Sequence, residues 1–533
     1  MVRIDKLIIV ILSLLLISCG EEETLYSNSV ISSPHPIASE TGKLIYSLGG
    51  NAFDAAVAAA FTLSVVEPSM SGIGGRLQAI YRKSDGSISG VDAMTQIPDS
   101  FNNLDMDNLE SYGYKTIGIP GVVAGLLKLH EENGILDLET IMEPSIYVAE
   151  KGFIILPKEI KRIAGAKSEI EKFNGSKKYF LNNIGQPFKL GDKLIQQDLA
   201  NTLTLISKNG KSGFYEGEVA VKMVDDIKSN GGYMSLEDLK NYQAIDSKVL
   251  TGKFNGYKSH SLYLPSYGAI TIQILQIMDY LDIKSKEEWP LKVAYTSEIA
   301  YKNRPFQNNK DSLKSILSLS KAKIIANEIN NNRFEISNSI DKDYSVSNTA
   351  HLTTADKYGN VVSLTQTIGP IMGSKVSTDG LGFLYNVTMG PYLGGYLNEI
   401  NAGDRVSSNI SPTLFSKNNE VILALGAAGG NKIPTAITQV SYRYLKQNFN
   451  LNESLSLPRV YKFNGPIQLE SHIGVDRFYN NLDTDVYGIE KVPYEGEFGR
   501  IHAIALDTIN NKWIGSSDPD WEGTVKVFKW SSL

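Results

Sequence analysis

The stretch from Ser347 to Thr367 constrains this chain more than any other, because it reads as a strand, a tight turn and a return strand. Asp356-Lys357-Tyr358-Gly359-Asn360 suits a type I turn closed by a glycine at positive φ, a common three-residue hairpin loop. That turn fixes the register: Asp356 opposite Asn360, Thr353 opposite Ser363, His351 opposite Thr365 and Thr349 opposite Thr367. One face of the ribbon then carries hydroxyls and an imidazole, the other Ala350, Leu352, Val362 and Leu364. A hydroxyl-lined strand pair suits acyl transfer. On these residues alone a solvated threonine-rich hairpin fits as well.

A chain of 533 residues is long enough for two or three domains. Hydrophobic residues at 42% and charged residues at 21% are those of a globular protein. A net charge of −6 leaves no basic footprint, which argues against nucleic acid as a partner. The six histidines show no metal-ligand spacing and there is no Cys/His cluster, so no metal site is expected. Gly426 to Lys432 only superficially suggests a phosphate loop, since Asn431 precedes the lysine and Ile433 follows it.

The N-terminus reads as a targeting segment. Arg3 and Lys6 precede an apolar run from Leu7 to Ile17, too short to span a bilayer comfortably. Leu16-Ile17-Ser18-Cys19-Gly20 resembles a bacterial lipobox, which implies a signal peptide over 1–18 and lipidation of Cys19. Cys19 is the single cysteine, so the body has no internal disulfide. Residues 19–36 follow as a lipidated, polar tether. The expected location is the bacterial cell envelope, facing the periplasm or exterior. The outer membrane is favoured because Gly20 is not the aspartate associated with inner-membrane retention.

The hairpin resembles the nucleophile strand of the γ-glutamyltranspeptidase family, whose members are N-terminal-nucleophile hydrolases. The resemblance implies self-cleavage between Asn348 and Thr349, with Thr349 as nucleophile, Thr367 as a second supporting threonine and His351 as a possible supporting residue. A threonine hydroxyl is a poor nucleophile until a base lies within hydrogen-bond reach. A free α-amine, with a pKa of roughly 7.7–8.0, can be that base near neutral pH. Thr349 lacks it while its nitrogen is in a peptide bond, so cleavage doubles as the on-switch.

Further motifs extend the resemblance over nearly all of the mature chain. Gly49-Gly50-Asn51-Ala52-Phe53-Asp54-Ala55-Ala56-Val57-Ala58 resembles the family's early helix, with Asn51 as a candidate cap. Gly72-Ile73-Gly74-Gly75 resembles its glycine-rich strand entry, and Ile119-Pro120-Gly121-Val122-Val123-Ala124-Gly125 a helix start. Gly426-Ala427-Ala428-Gly429-Gly430 resembles Gly-Ser-Pro-Gly-Gly, which implies that the N–H groups of Gly429 and Gly430 receive the oxyanion. Each glycine run by itself is an ordinary turn; together, in family order, they are specific. Arg405-Val406-Ser407-Ser408-Asn409-Ile410-Ser411-Pro412 resembles Arg-Pro-Leu-Ser-Ser-Met-Ser-Pro. Without a gap, the substrate-carboxylate positions fall on Ser408 and Asn409; Ser407-Ser408 would need a one-residue insertion.

Departures from the family pattern concentrate on substrate recognition. Met94 stands where the substrate arginine is expected, and Gly369 replaces an asparagine two residues past the second threonine. Thr388 and Pro391 fall where a polar pair would hold an α-amino group. Arg76 and Arg82 are candidates for a carboxylate clamp from a new direction, against the plainer reading of surface charges. The resemblance implies an α+β, four-layer αββα body made by two fragments, 37–348 and 349–533, that stay associated after cleavage. Leu313 to Ala326 reads as helix, Ser337 to Asn348 as a poorly anchored tail, and Glu420 to Leu425 and Ile501 to Asp507 as strands. Ser517-Asp518-Pro519 resembles a terminal Ser-Asp-Pro-Arg turn, with Asp520 in the arginine's place.

The function implied is an amidohydrolase or acyltransferase working through a Thr349 acyl-enzyme. Its substrate is a γ-glutamyl-like or other small amide or peptide, its acceptor water or an amine, and no cofactor is called for. The competing reading is a non-catalytic lipoprotein that kept the fold. Met94, Gly369, Thr388 and Pro391 support that reading, and Thr349, Thr367, Gly429 and Gly430 oppose it.

Overall fold

Period-two apolar patterns build two stacked sheets in the computed structural model, which describes residues 26–101, 110–331, 348–390, 400–463, 465–471, 488–493 and 498–530. Cys19, Pro391 and residues 337–347 of the expected tail lie outside this range. The expected 19–36 tether is too long, because Asn28–Ser33 is a buried strand inside the first sheet and Pro36 opens a helix. The first sheet has seven strands in the order Thr524–Lys529, Asn28–Ser33, Asn348–Ala355, Val361–Gly369, Arg76–Arg82, Ile88–Ala93 and Ile245–Asp246. The second has six: Lys512–Ser517, Arg500–Asp507, Glu420–Ala428, Thr413–Lys417, Tyr257–Leu262 and Val249–Phe254. The strands expected around 420–425 and 501–507 are thus both central elements of the second sheet.

Three buried clusters define the layering. One joins Leu352 and Leu364 of the first sheet to helices Ala52–Val66 and Val122–Asn133. A second joins Leu423 and Ile501 of the second sheet to Gly268–Asp279, Glu288–Tyr301 and Ile433–Leu445. Between the sheets lie Val30, Ile80, Val361, Leu414, Ile504 and Trp513. The result is the αββα sandwich expected, because each sheet has two faces to shield from water and one is covered by the other sheet.

Ala52–Val66 explains how the hairpin is seated. All fifteen of its residues are buried, and alanines let it approach the sheet closely. Asn51 and Asp54 form a capping box at its start. Its first turn also meets the hairpin loop: Asp356 accepts from the Ala52 N–H at 3.0 Å, and Thr354 Oγ1 donates to the Ala52 carbonyl at 2.8 Å. The expected 313–326 helix is broken in two, Lys310–Ile316 and Leu319–Asn330. Ser318 interrupts it as the cap of the second helix.

Candidate active site

The hairpin loop is the one its residues dictate. Gly359 has φ +83°, its N–H donates to the Asp356 carbonyl at 3.2 Å, and Asp356 N–H donates to the Asn360 carbonyl at 3.1 Å. Thr353 pairs with Ser363 and His351 with Thr365 as expected. The register then slips: Gln366 pairs with Ala350, but Gly369 pairs with Asn348. One extra residue is accommodated in the return strand, so Thr349 and Thr367 are not a regular cross-strand pair. Across this bulge Thr367 Oγ1 donates to the Asn348 carbonyl, the carbonyl of the expected scissile bond. The same oxygen accepts from the Gly369 N–H at 2.9 Å. The Thr349 side chain is 2% exposed, and its hydroxyl has no hydrogen-bond partner among the described residues.

Glycines make room for this arrangement. A Cβ on Gly75 would overlap the Thr367 carbonyl, and one on Gly426 would overlap the His351 ring. The hydroxyl face is not solvated. It is buried between the sheets, where Thr353 Oγ1 donates to the His502 carbonyl at 2.8 Å and Ser363 Oγ to the Leu425 carbonyl at 3.0 Å. His351 is fully buried, with Nδ1 2.8 Å from Thr365 Oγ1 and Nε2 3.0 Å from Thr353 Oγ1. Since the Thr353 hydroxyl proton is spent on His502, Nε2 carries the ring proton and Nδ1 accepts from Thr365. Burial first, and then His502, push the imidazole well below its ordinary pKa. His351 is therefore a neutral brace for the hairpin, with both nitrogens occupied.

Gly429 and Gly430 leave the strand Glu420–Ala428 at φ +146° and +59°, a path closed to most side chains. A Cβ on Gly429 would stand 2.8 Å from the Gly499 Cα. Neither N–H has a hydrogen-bond partner among the described residues, as oxyanion donors require. Behind them, Arg459 donates to the Gly499 carbonyl and pairs with Asp518 at 2.6 Å, both side chains buried. That pair gives the Ser517-Asp518-Pro519 turn a structural role.

The segment expected to bind a carboxylate is tied to the strand Ile88–Ala93, which ends just before Met94. Arg405 pairs with Asp92 at 3.0 Å and donates to the Asp92 carbonyl at 2.7 Å. Ser407, Ser408 and Asn409 are half-buried. Ser408 Oγ accepts from the Ile410 N–H at 3.3 Å, and Asn409 Nδ2 donates to Asn431 Oδ1 at 2.6 Å. Met94 is fully buried. The Thr388 hydroxyl lies 2.6 Å from both Thr95 Oγ1 and Asn386 Oδ1, committed within the body.

The two candidate clamps are not surface charges. Arg82 is buried at the loop end of the hairpin, where it donates to the Gly359 carbonyl at 2.7 Å and the Asn419 carbonyl at 3.2 Å. It does not reach the site. Arg76 is the cross-strand neighbour of Thr367, buried, with Nη1 3.3 Å from the Val387 carbonyl. A Cβ on Gly369 would meet its Nη2 at ordinary contact, 3.5 Å, so the guanidinium lies beside this glycine and it is the φ of +98° that favours glycine there. Strand charges read as surface in sequence; here carbonyls of neighbouring loops cover them. The sequence reading also passed over Arg304, which donates to Asn431 Oδ1 at 3.3 Å. No local motif marks it, because its partner is 127 residues away.

An αββα sandwich whose central threonine strand packs on the strand that leads into a glycine pair has the N-terminal-nucleophile hydrolase fold. Residues 38–528 match the family model described as Gamma-glutamyltranspeptidase, and the chain belongs to that family of hydrolases and transferases. It is 31% identical to the glutathione hydrolase proenzyme of Pseudomonas sp. (strain A14), over 82% of this chain and 81% of that one. Its identity to the acylase ACY 1 proenzyme of Pseudomonas sp. (strain V22) is 30%, over 86% of each. The crystal structure of cephalosporin acylase from Bacillus halodurans matches with a TM-score of 0.83, covering 95% of this chain and 97% of that one. At 23% identity, that last likeness is one of fold. The family acts on amides and peptides with water or amine acceptors, and its proenzymes are processed into two fragments.

Proposed function

We propose that this chain cleaves itself between Asn348 and Thr349 and then uses Thr349 as the nucleophile of an amide hydrolase or acyltransferase. The observation that carries this reading is the Thr367 hydroxyl on the Asn348 carbonyl, beside a buried Thr349 hydroxyl with no other partner among the described residues. In processing, Thr349 Oγ1 attacks the Asn348 carbonyl carbon while Thr367 stabilises the developing charge. The C–N bond breaks, the Thr349 nitrogen takes a proton, and water hydrolyses the resulting ester. An Asn348 carboxylate and a Thr349 amine remain. In turnover that amine takes the Oγ1 proton as Oγ1 attacks the substrate carbonyl, and the N–H groups of Gly429 and Gly430 receive the oxyanion. The amine returns the proton to the leaving group, and water or an amine releases the acyl group. Cys19 anchors the enzyme to the envelope in this reading.

The acyl donor differs from an ordinary γ-glutamyl group. Met94 offers no charge, Gly369 no side chain, and Thr388 is already committed. A guanidinium beside Gly369 also disfavours a substrate ammonium there. These features support an acyl group without a free α-ammonium. Denaturing electrophoresis with intact masses tests the processing step. Wild-type protein should give two fragments, the second starting at Thr349, and Thr349→Ala should stay whole. A wild-type chain that remains a single band after prolonged incubation would sink the proposal.

A further inference from the structure

Tyr26 enters the sandwich at the end that carries the hairpin loop. Its N–H donates to the Lys357 carbonyl at 3.0 Å, and the Ser27 N–H donates to the Asn511 carbonyl at 3.1 Å. Arg82 ties in a third loop, donating to the carbonyls of Gly359 and Asn419. The helix layer reaches the same end. Asp356 accepts from the Ala52 N–H, and Asp54, one turn into that helix, accepts from the Ile135 N–H at 3.1 Å. Loops from both sheets and from one helix layer therefore form a single face around the point where the chain enters.

Apolar tips stand out from this face. Ile509, on the loop between Arg500–Asp507 and Lys512–Ser517, is 92% exposed; Ile135 is 61% exposed and Leu48 is 51% exposed. Trp530 lies at the same end, with Nε1 donating to Ser29 Oγ at 3.0 Å and the Lys357 ammonium 3.9 Å from its ring centre. Exposed aliphatic tips beside an indole and a lysine suit a membrane–water boundary. Charges on the loops offset one another, as in Lys83 and Asp85, Lys417 and Glu420, or Asp507 and Lys512, so the attraction such a face offers is apolar and not electrostatic.

Exposure alone does not select this end. Ile184 is 75% exposed, and Leu181 just before it packs with Ile368 and Met372, beyond Thr367 at the opposite end of the return strand. The reach of the anchor decides between them. Seven Cα–Cα steps join Cys19 to Tyr26, at most about 25 Å when fully extended. From Asp356 back to Thr349 is itself about 23 Å, seven strand residues at roughly 3.3 Å each. A body standing on Ile184 would stretch the tether to its limit, whereas one standing on Ile509 leaves it slack and retains its conformational entropy.

Resting on the reading of Cys19 as a lipid anchor, we propose that the end of the sandwich bearing Ile509, Ile135 and Leu48 lies on the surface of the lipid bilayer. Thr349 is thereby held on the far side of the body, so acyl donors are met in the aqueous space and not among the headgroups.

The test uses the lipidated full chain in phosphatidylcholine vesicles. Cys19 is the single cysteine and carries the lipid, so Ile509→Cys, Ile135→Cys and Ile184→Cys each supply one free thiol for a fluorescent label. Vesicles are floated to remove unbound protein, and emission is compared with and without phosphatidylcholine bearing a nitroxide near the headgroup. Labels at 509 and 135 should be quenched at least about twofold, as for side chains at the headgroup boundary, and the label at 184 by less than about a tenth. The contrast should persist in high salt, because the contact is apolar. Labels at 509 and 135 that stay bright on floated vesicles, or a label at 184 quenched as strongly, overturn the docking face and leave the anchor standing. Wild-type protein that carries no lipid on Cys19 and stays behind when the vesicles float overturns both.

Discussion

Replacing Thr367 with valine removes one hydroxyl at nearly constant shape and volume. In the uncleaved chain that hydroxyl donates to the Asn348 carbonyl and accepts from the Gly369 N–H. Against a neutral carbonyl such a bond contributes about 0.5–1.5 kcal/mol. During attack by Thr349 the same oxygen becomes an oxyanion, and loss of one well-placed donor then costs about a hundredfold in rate, or roughly 2.7 kcal/mol. Thr367→Val should therefore slow processing by about two orders of magnitude. The Gly369 N–H, left without its acceptor, should lower stability by about 1–3 kcal/mol. The rate is read from disappearance of the full-length band over time, the stability from urea unfolding of the uncleaved form. Thr367→Ser restores the hydroxyl and should process within about fivefold of wild type. Processing of the valine variant within threefold of wild type would refute the role given to this hydroxyl.

Three other substitutions have definite expected outcomes. Gly426→Ala would press a methyl group into the His351 ring and should cost about 1–3 kcal/mol in urea unfolding; an unchanged midpoint contradicts the packing described. Burial raises the Glu67 carboxyl to about 7, although Arg162 pulls it down, so the folded chain keeps a proton that the unfolded chain releases near 4.5. The stability from this group is full below that lower value and is lost as pH rises through about 7. Relative to wild type, Glu67→Gln should thus gain on the order of 3 kcal/mol between pH 4.5 and 8, and parallel curves would contradict this. Cys19→Ser should abolish incorporation of labelled fatty acid in cells, and an unlabelled wild type would remove the anchor.

Sequence made local geometry legible and left long-range geometry obscure. The Asp356–Asn360 loop, the alternation of Ala350 and Leu352 with His351 and Thr353, and the Asn51 cap are set by residues within one turn or strand pair of each other. The slip between Gln366 and Gly369 is different. It occurs where Gly75 lets the neighbouring strand approach Thr367, and no hairpin rule contains that neighbour. The hydroxyl face was ambiguous for a related reason: a polar strand face reads as solvated until a second sheet, through Leu425 and His502, is known to cover it. Arg76 and Arg82 misread as surface for the same cause. Arg304 was invisible because its meaning depends on Asn431 and Asn409, distant in sequence and joined to it only by folding.

The central claim is that Thr349 carries the acyl group during turnover. It is tested most directly by acid-quenching the processed enzyme in the presence of the p-nitroanilide it hydrolyses fastest, and mapping the protein by mass spectrometry. The account predicts one acyl increment on the N-terminal threonine of the second fragment, at Thr349. Continued turnover with no increment, or with the acyl group on any other residue, would contradict it.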